Sequence, residues 1–457
     1  MKHYDVILIG TGQATGTLVA ELLNRNLTIA TIERDRVGGS CVNWGCTPTK
    51  TMVASARAAH MARRGADFGV DVAGVAVRFE KVMQRVNAMR VPASDGFQSW
   101  LEEATDFYPG SARFEDDRTL SVGDARLRGE TIVIHTGTRA RTPSIPGIES
   151  VNWLDNRGVL DLAEIPEHLL VLGGSYIGLE FAQAYRRFGS RVTVLEHNQR
   201  IVTREDPDIS DIALEVLSAE GIEFQLGAEA LQLAAGKQYR DGVALSYSQG
   251  DRQSTVEGSH ILIAVGRVPN SDDLNLEAAG VATNERGFIT VDDVGRTSVP
   301  HIYAIGDVNG RGAFTHTSVH DGQVFLDHLA LGSKKISDRT PIHSMFIDPP
   351  LARVGMSETE VRASGKKALM ATMPMSKVNR AREKDETAGL VKVVVEAGTN
   401  KILGATIFGV GGDEIIGMLA LAMQAGLPYS AIQDTVLPHP TVAELIPWVF
   451  ADLKPIT

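Results

Sequence analysis

The pattern that most restricts the fold occurs twice. "YDVILIG" is a short β-branched apolar run that stops at a glycine. "QATGTLVAELLNR" follows with apolar residues at helical spacing, and "LTIATIE" is a second apolar run ending in Glu33. "HLLVLGGSYIGLEFAQAYRRFGSRVTVLE" repeats that order and ends in Glu196. A continuously apolar strand is one buried on both faces, so strand, glycine turn, helix and strand together specify a βαβ unit of a parallel sheet.

The glycines carry the next inference. Gly10 and Gly12 fill the first two positions of a dinucleotide fingerprint: one makes the tight turn, the other lets the backbone approach a pyrophosphate at a helix N-terminus. The third position wants a small residue and holds Thr15, followed by Gly16, which predicts a slightly wider approach of helix to strand. Glu33 stands where an acid can bond a ribose 2′-hydroxyl. In the second unit Gly173 and Gly178 take the outer positions and Ser175 replaces the middle glycine. A carboxylate at Glu196 accepts bonds from a free ribose and repels a 2′-phosphate, which favours NADH over NADPH. Arg200 and Arg204 are near enough to reach a phosphate, so NADPH stays open.

A chain of 457 residues is too long for one core. The expected fold class is α/β: two Rossmann-type dinucleotide-binding domains plus a C-terminal α+β domain. The expected segments are 1–145 for the first nucleotide-binding domain, 146–270 for the second, 271–340 as a central return to the first, and 341–457 for the last. "KILGATIFG" reads as a strand and "DEIIGMLALAMQAG" as an amphipathic core or interface helix.

A net charge of −11 argues against a nucleic-acid backbone as partner, since that needs clustered positive charge. The apolar run at the N-terminus is too short for a signal peptide, and no stretch approaches the roughly 18 apolar residues of a membrane span. No membrane partner is therefore expected, and the expected location is cytoplasmic. A disulfide in that compartment is usually catalytic rather than structural.

The only two cysteines, Cys41 and Cys46, lie in "GGSCVNWGCTPTK". Five residues apart in a regular helix, their Cα atoms would stand roughly 8 Å from one another. A disulfide needs about 7 Å or less, so if the two bond, the segment leaves helical geometry between them. Asn43 and Gly45 suit that distortion. The other reading is a pair of unrelated thiols.

These motifs, in one order with "AVGRVPN", "YAIGDV" and "HPTVAE", resemble the flavin-dependent pyridine-nucleotide disulfide oxidoreductases, a family that includes glutathione reductase, dihydrolipoamide dehydrogenase and mercuric reductase. The resemblance covers essentially the whole chain. It implies FAD in the first domain, NAD(P)H in the second and a homodimer formed through the third. It also implies a redox disulfide between Cys41 and Cys46, with Cys46 against the flavin and Cys41 as the exposed exchange thiol. Lys50 would sit near the flavin and pair with Glu180, and Tyr176 would cover the flavin face and swing aside for nicotinamide. Gly39, Ser40, Gly137, Gly306 and Asp307 would line the FAD site and Gly266 the NAD(P) site. His439, oriented by Glu444, would move protons in thiol exchange at the other subunit's cysteines. No resident metal is expected.

Within the family, "CVNWGCTPTK" and "DPPLARVGMSE" look most like sequences grouped with mercuric reductase. That enzyme has a further C-terminal cysteine pair and lacks the histidine, whereas this chain ends "WVFADLKPIT" and keeps His439. The expected substrate is therefore a small disulfide or other oxidised-sulfur compound. Hg(II) or another metal ion is one alternative, and the lipoyl group of a 2-oxoacid dehydrogenase complex is another. Trp44 could wall the substrate side or fill an interface, and Arg380 and Arg382 read as a solvated charge run.

Overall fold

A computed structural model describes residues 1–456, which form two compact units. The first comprises Met1–Thr51, Glu80–Thr142 and Val265–Arg339. Its central strands run in the order Asp106–Pro109, Ile29–Glu33, Lys2–Ile9, Ala125–Ile134, all parallel, and Ile302–Ala304 adds parallel to Ala125–Ile134. Thr119–Val122 and Ala112–Phe114 extend the sheet antiparallel. The two-residue alternation of a strand divides the core. Val6 and Leu8 pack with Leu18, Val19 and Leu22 of the helix Thr15–Asn24, whereas Ile7 and Ile9 pack on the opposite face with Phe114 and Leu120. Because the central strands are parallel, Gly10, Glu33, His135 and Ile305 all lie at their carboxyl ends, where open α/β sheets bind ligands.

The second unit comprises Met52–Phe79, Pro143–Ala264 and the chain from Thr340. It holds a parallel sheet in the order Glu223–Leu226, Arg191–Glu196, His168–Leu172, His260–Ile263, Trp153–Leu154, and a three-stranded antiparallel sheet over residues 229–258. A six-stranded antiparallel sheet occupies the chain beyond 341, and Ile416, Leu419 and Ala422 of the helix Gly412–Gln424 pack against Val354, Val391 and Val393.

The seams differ from the expected segments in two places. Residues 265–270 go with the first unit, because Arg267–Pro269 pairs antiparallel with Thr138–Ala140 there. Met52–Phe79 groups with the second unit, where Arg57 bonds Asp348 and Glu386 and Arg63 donates to the Arg187 carbonyl.

One short loop ties the nucleotide-binding part of the second unit to its antiparallel sheet. Glu205 accepts from Arg353 Nε at 2.9 Å, and Asp206 accepts from the backbone of Glu358 and Thr359. Lys392, 3% exposed, sits among Asp206, Asp208 and Glu358 at 3.3, 2.8 and 3.0 Å.

Candidate active site

The first glycine turn is packed too closely for side chains. A Cβ on Gly10, whose φ is +94°, would stand 2.5 Å from the carbonyl oxygen of His135. One on Gly12 would stand 2.7 Å from the His135 ring. Glu33 closes the turn, accepting from Thr11 N at 3.0 Å, Thr11 Oγ1 at 2.7 Å and Asp35 N at 2.9 Å.

The departure at Thr15 has a structural answer. Its hydroxyl lies 3.5 Å from the Gly10 carbonyl and 3.3 Å from His135 Nδ1. In the second unit the equivalent Gly178 leaves no such room, since its Cβ would lie 2.2 Å from the Gly173 carbonyl. The first helix therefore stands farther from its strand, as its sequence predicts. His135 was not anticipated. Its Nε2 bonds Ser318 Oγ at 2.7 Å, and burial lowers its pKa to about 4. A histidine in "IVIHTGT", at the carboxyl end of a parallel strand, is the signal that could have found it.

The cysteine turn leans on this loop: Gly38 N donates to the Thr11 carbonyl at 3.1 Å, and Gln13 donates to the Gly38 carbonyl at 3.0 Å. Cys41 lies in the helix Gly39–Trp44, and Cys46 begins the helix Cys46–Arg63. The break falls at Gly45, where a Cβ would meet the Ser40 carbonyl at 2.8 Å and Cys41 Cα at 3.2 Å. Asn43, 1% exposed, fixes the turn through bonds to the Val37 and Gly39 carbonyls.

Neither cysteine is in a disulfide; the Cys41 thiol donates to the Cys46 sulfur. That bond lowers the Cys46 pKa to about 6 against the effect of burial, with help from Thr315 and the charge of Lys50. The same bond, with burial, pushes Cys41 far up. Cys46 Sγ is 3.4 Å from Thr315 Oγ1. Cys46 is exposed and Cys41 half-buried. Thr315 opens the helix Thr315–Leu329, and no motif marked it in the sequence.

Asp307 follows the strand Ile302–Ala304. It accepts from Thr138 Oγ1 at 3.0 Å, and burial raises its pKa, opposed by Arg267. Arg267 also holds the Thr138 carbonyl at 2.6 Å and reaches Ser40 Oγ at 3.5 Å. Gly306 packs against Ser318 and His135, and Gly137 takes φ +65° and accepts from Asn270 N. Gly266, expected at the NAD(P) site, lies in the first unit, its carbonyl accepting from Arg141 N.

In the second unit Ser175 precedes the helix Tyr176–Phe188. Glu196, 8% exposed, accepts from Gly174 N at 2.6 Å and Asn198 N at 2.8 Å, so its carboxylate is fixed beside the glycine turn. Arg200 lies 3.5 Å from Asp211. Tyr176 donates to Glu205 Oε1 at 2.5 Å; burial and that charge raise its pKa well above the usual tyrosine value. Glu180, 6% exposed, accepts from Phe346 N at 2.8 Å.

His439 Nδ1 is 2.9 Å from Glu444 Oε2, which fixes the ring and leaves Nε2 outward. The pair lines an open groove of about 600 Å³ with Asn379, Gln433 and Trp448. Arg380 pairs with Glu383 on an exposed short helix. Among the described residues no group of three or more His, Cys, Asp or Glu could hold a metal ion, and no helix is long and apolar enough to cross a membrane.

Comparison with known proteins defines the class. Residues 4–322 match the pyridine nucleotide-disulphide oxidoreductase model, and 342–450 match the dimerisation domain of the same family. The chain belongs to this family of FAD-dependent oxidoreductases acting on sulfur groups. It is 35% identical to a probable pyridine nucleotide-disulfide oxidoreductase, RclA, of Escherichia coli, over 99% of this chain and all of that one. A solved Cu(II) complex of the HOCl-induced flavoprotein disulfide reductase RclA aligns with TM-score 0.88 and 34% identity, over 99% of each chain. A mercuric reductase of Lysinibacillus sphaericus is 31% identical over 97% of this chain and 81% of its own length. A dihydrolipoyl dehydrogenase of Geobacillus stearothermophilus is 32% identical over 96% and 93%. The matched dimerisation domain suggests a homodimer.

The residues fit both dinucleotides. In each unit a glycine turn, with no room for a Cβ at Gly10, Gly12 or Gly178, joins a strand to a helix N-terminus and stands beside a glutamate.

Proposed function

We propose that the protein passes electrons from NADH, by way of FAD and the Cys41–Cys46 pair, to a small disulfide or oxidised-sulfur compound. The carrying observation is that the two cysteines flank the break at Gly45, with Cys46 3.4 Å from Thr315 Oγ1, and that their interaction lowers the pKa of Cys46 and raises that of Cys41. FAD, when bound, supplies the two-electron link between nicotinamide and disulfide. The expected segments are its scaffold: Gly10, Gly12, Thr15, Glu33, Gly39, Ser40, Gly137, Gly306 and Asp307 hold FAD, and Gly173, Ser175, Gly178 and Glu196 hold NADH. Lys50 lowers the Cys46 pKa, and its charge favours electron-rich states nearby.

Cys41 is held protonated, so its attack on a substrate disulfide needs a base. His439 takes that proton at Nε2 while Glu444 keeps the ring in one tautomer. The Cys41 thiolate attacks one substrate sulfur, and the second leaves as a thiol with the proton from His439. Cys46 then attacks the Cys41 sulfur, releasing the other half of the substrate and restoring the intramolecular disulfide. We place His439 at the partner subunit's Cys41.

A steady-state screen of the FAD-loaded enzyme with NADH and NADPH against glutathione disulfide, lipoamide, hypothiocyanite and Hg(II) tests the reading. Turnover of a sulfur compound supports it. Turnover of Hg(II) or Cu(II) alone favours metal reduction, the reading prompted by the mercuric reductase relative and the Cu(II) complex of RclA. A clear preference for lipoamide makes the acceptor a lipoyl group.

A further inference from the structure

The Tyr176 hydroxyl ends on a buried carboxylate that has no part in the thiol-exchange scheme. It donates to Glu205 Oε1 at 2.5 Å, and the tyrosine ring packs against His343 with centroids 5.8 Å apart. Glu205 has a side chain 1% exposed and cannot follow a moving tyrosine, because other groups hold it. Arg353 Nε bonds Oε2 at 2.9 Å, and His343 Nε2 shares Oε1 at 3.0 Å. Arg353, 7% exposed, is fixed in turn by Glu360 at 2.9 Å, the Gly355 carbonyl at 3.2 Å and the Arg204 carbonyl at 3.2 Å. A buried carboxylate with two cationic or polar anchors and one phenol is a rigid acceptor; a tyrosine is comparatively free to rotate about its side-chain bonds.

We propose that Glu205 is a positioning residue of the nicotinamide half-reaction, holding the Tyr176 ring in one orientation so that its displacement by nicotinamide must break the Tyr176–Glu205 bond. This rests on the reading of Tyr176 as the cover displaced by nicotinamide. A ring tethered in one position lowers the population competent to bind, and the apparent affinity for NADH falls by that fraction.

The test is a double-mutant cycle on the FAD-loaded enzyme with Tyr176→Phe and Glu205→Gln. Each single variant is expected to lower the KM for NADH by roughly three- to tenfold, the size of one hydrogen bond lost or stripped of its charged acceptor. The double variant is expected to match Tyr176→Phe alone, because Glu205 acts through the hydroxyl. A second readout is independent of NADH. With 3-fluorotyrosine at position 176, Glu205→Gln should shift and broaden the fluorine resonance. Should Glu205→Gln not fold, Glu205→Leu with Arg353→Met removes the buried pair together and takes its place in the cycle.

Multiplying effects in the double variant, or a KM that moves in Tyr176→Phe but not in the Glu205 variant, would overturn the role of Glu205 alone. An unchanged KM in Tyr176→Phe, with the fluorine resonance still responding to Glu205, would overturn the reading of Tyr176 and with it the proposal.

Discussion

Cys46 Sγ lies 3.4 Å from Thr315 Oγ1, the first residue of a fifteen-residue helix. A sulfur at that end of a helix meets the positive side of its dipole, and a hydroxyl there can donate to a thiolate. Together with the Cys41 thiol and Lys50, this gives the anionic form of Cys46 three sources of stabilisation from separate parts of the first unit.

Thr315→Val should raise the Cys46 pKa by about one unit, the loss of one bond to a charged group. Cys41→Ala should raise it more, because the Cys41 bond is the largest of the three. The rate of iodoacetamide alkylation against pH in the reduced protein measures both. In the two-electron-reduced flavoprotein, Cys46→Ser should abolish the long-wavelength absorption band expected of a thiolate beside flavin. A larger shift in Thr315→Val than in Cys41→Ala would make the helix terminus, rather than the neighbouring thiol, the chief stabiliser of the thiolate.

His439→Ala should keep rapid flavin reduction by NADH and lose disulfide turnover by about a hundred- to ten-thousandfold. Mixing inactive Cys41→Ser and His439→Ala protomers should restore activity, since each mixed dimer keeps one site with both residues. Stopped-flow absorbance and a turnover assay on mixed dimers check the two parts. Mixed dimers that form and stay inactive would place the histidine in its own subunit's site.

NADH should exceed NADPH in kcat/KM by roughly ten- to a hundredfold, because the Glu196 carboxylate is fixed at the glycine turn and repels a 2′-phosphate. Glu196→Ala should narrow that ratio. Arg200 lies 3.5 Å from Asp211, which partly neutralises its charge. Equal kcat/KM for both cofactors in the parent enzyme would count against Glu196 as the selector.

Acid should destabilise the protein through His135. Its pKa falls from 6.5 to about 4 on burial, so between those values the unfolded chain binds the extra proton. The contribution is full above the unfolded value and is lost as pH falls toward the folded one. Near pH 5 the loss amounts to about 2 kcal/mol. Urea unfolding at about pH 7 and pH 5 should show that loss in the parent and a smaller one in His135→Asn.

What the sequence disclosed were features written in local order. The glycine turns, their acids and the cysteine spacing follow from strand and helix periodicity, and even the wider helix at Thr15 was legible from one side chain. The break at Gly45 was legible for the same reason, since two cysteines five apart cannot meet on a helix. What escaped depends on tertiary contacts. Thr315 is 269 residues from Cys46, and Ser318 is 183 from His135. No short-range pattern encodes such distances. The seam after 264 departs from expectation because the strand Arg267–Pro269 has its partner at Thr138–Ala140, more than a hundred residues earlier.

The loop at Glu205 and Asp206 bears on modularity. Its two acids face Arg353 and Lys392, which belong to strands of the six-stranded sheet. Cutting the chain at residue 339 would take away the guanidinium that Glu205 bonds and the ammonium that Asp206 bonds. The nucleotide-binding segment is therefore not a portable cassette. It and the C-terminal sheet should melt in one cooperative step, and a graft of residues 143–264 onto another scaffold would have to bring a neutral replacement for both acids.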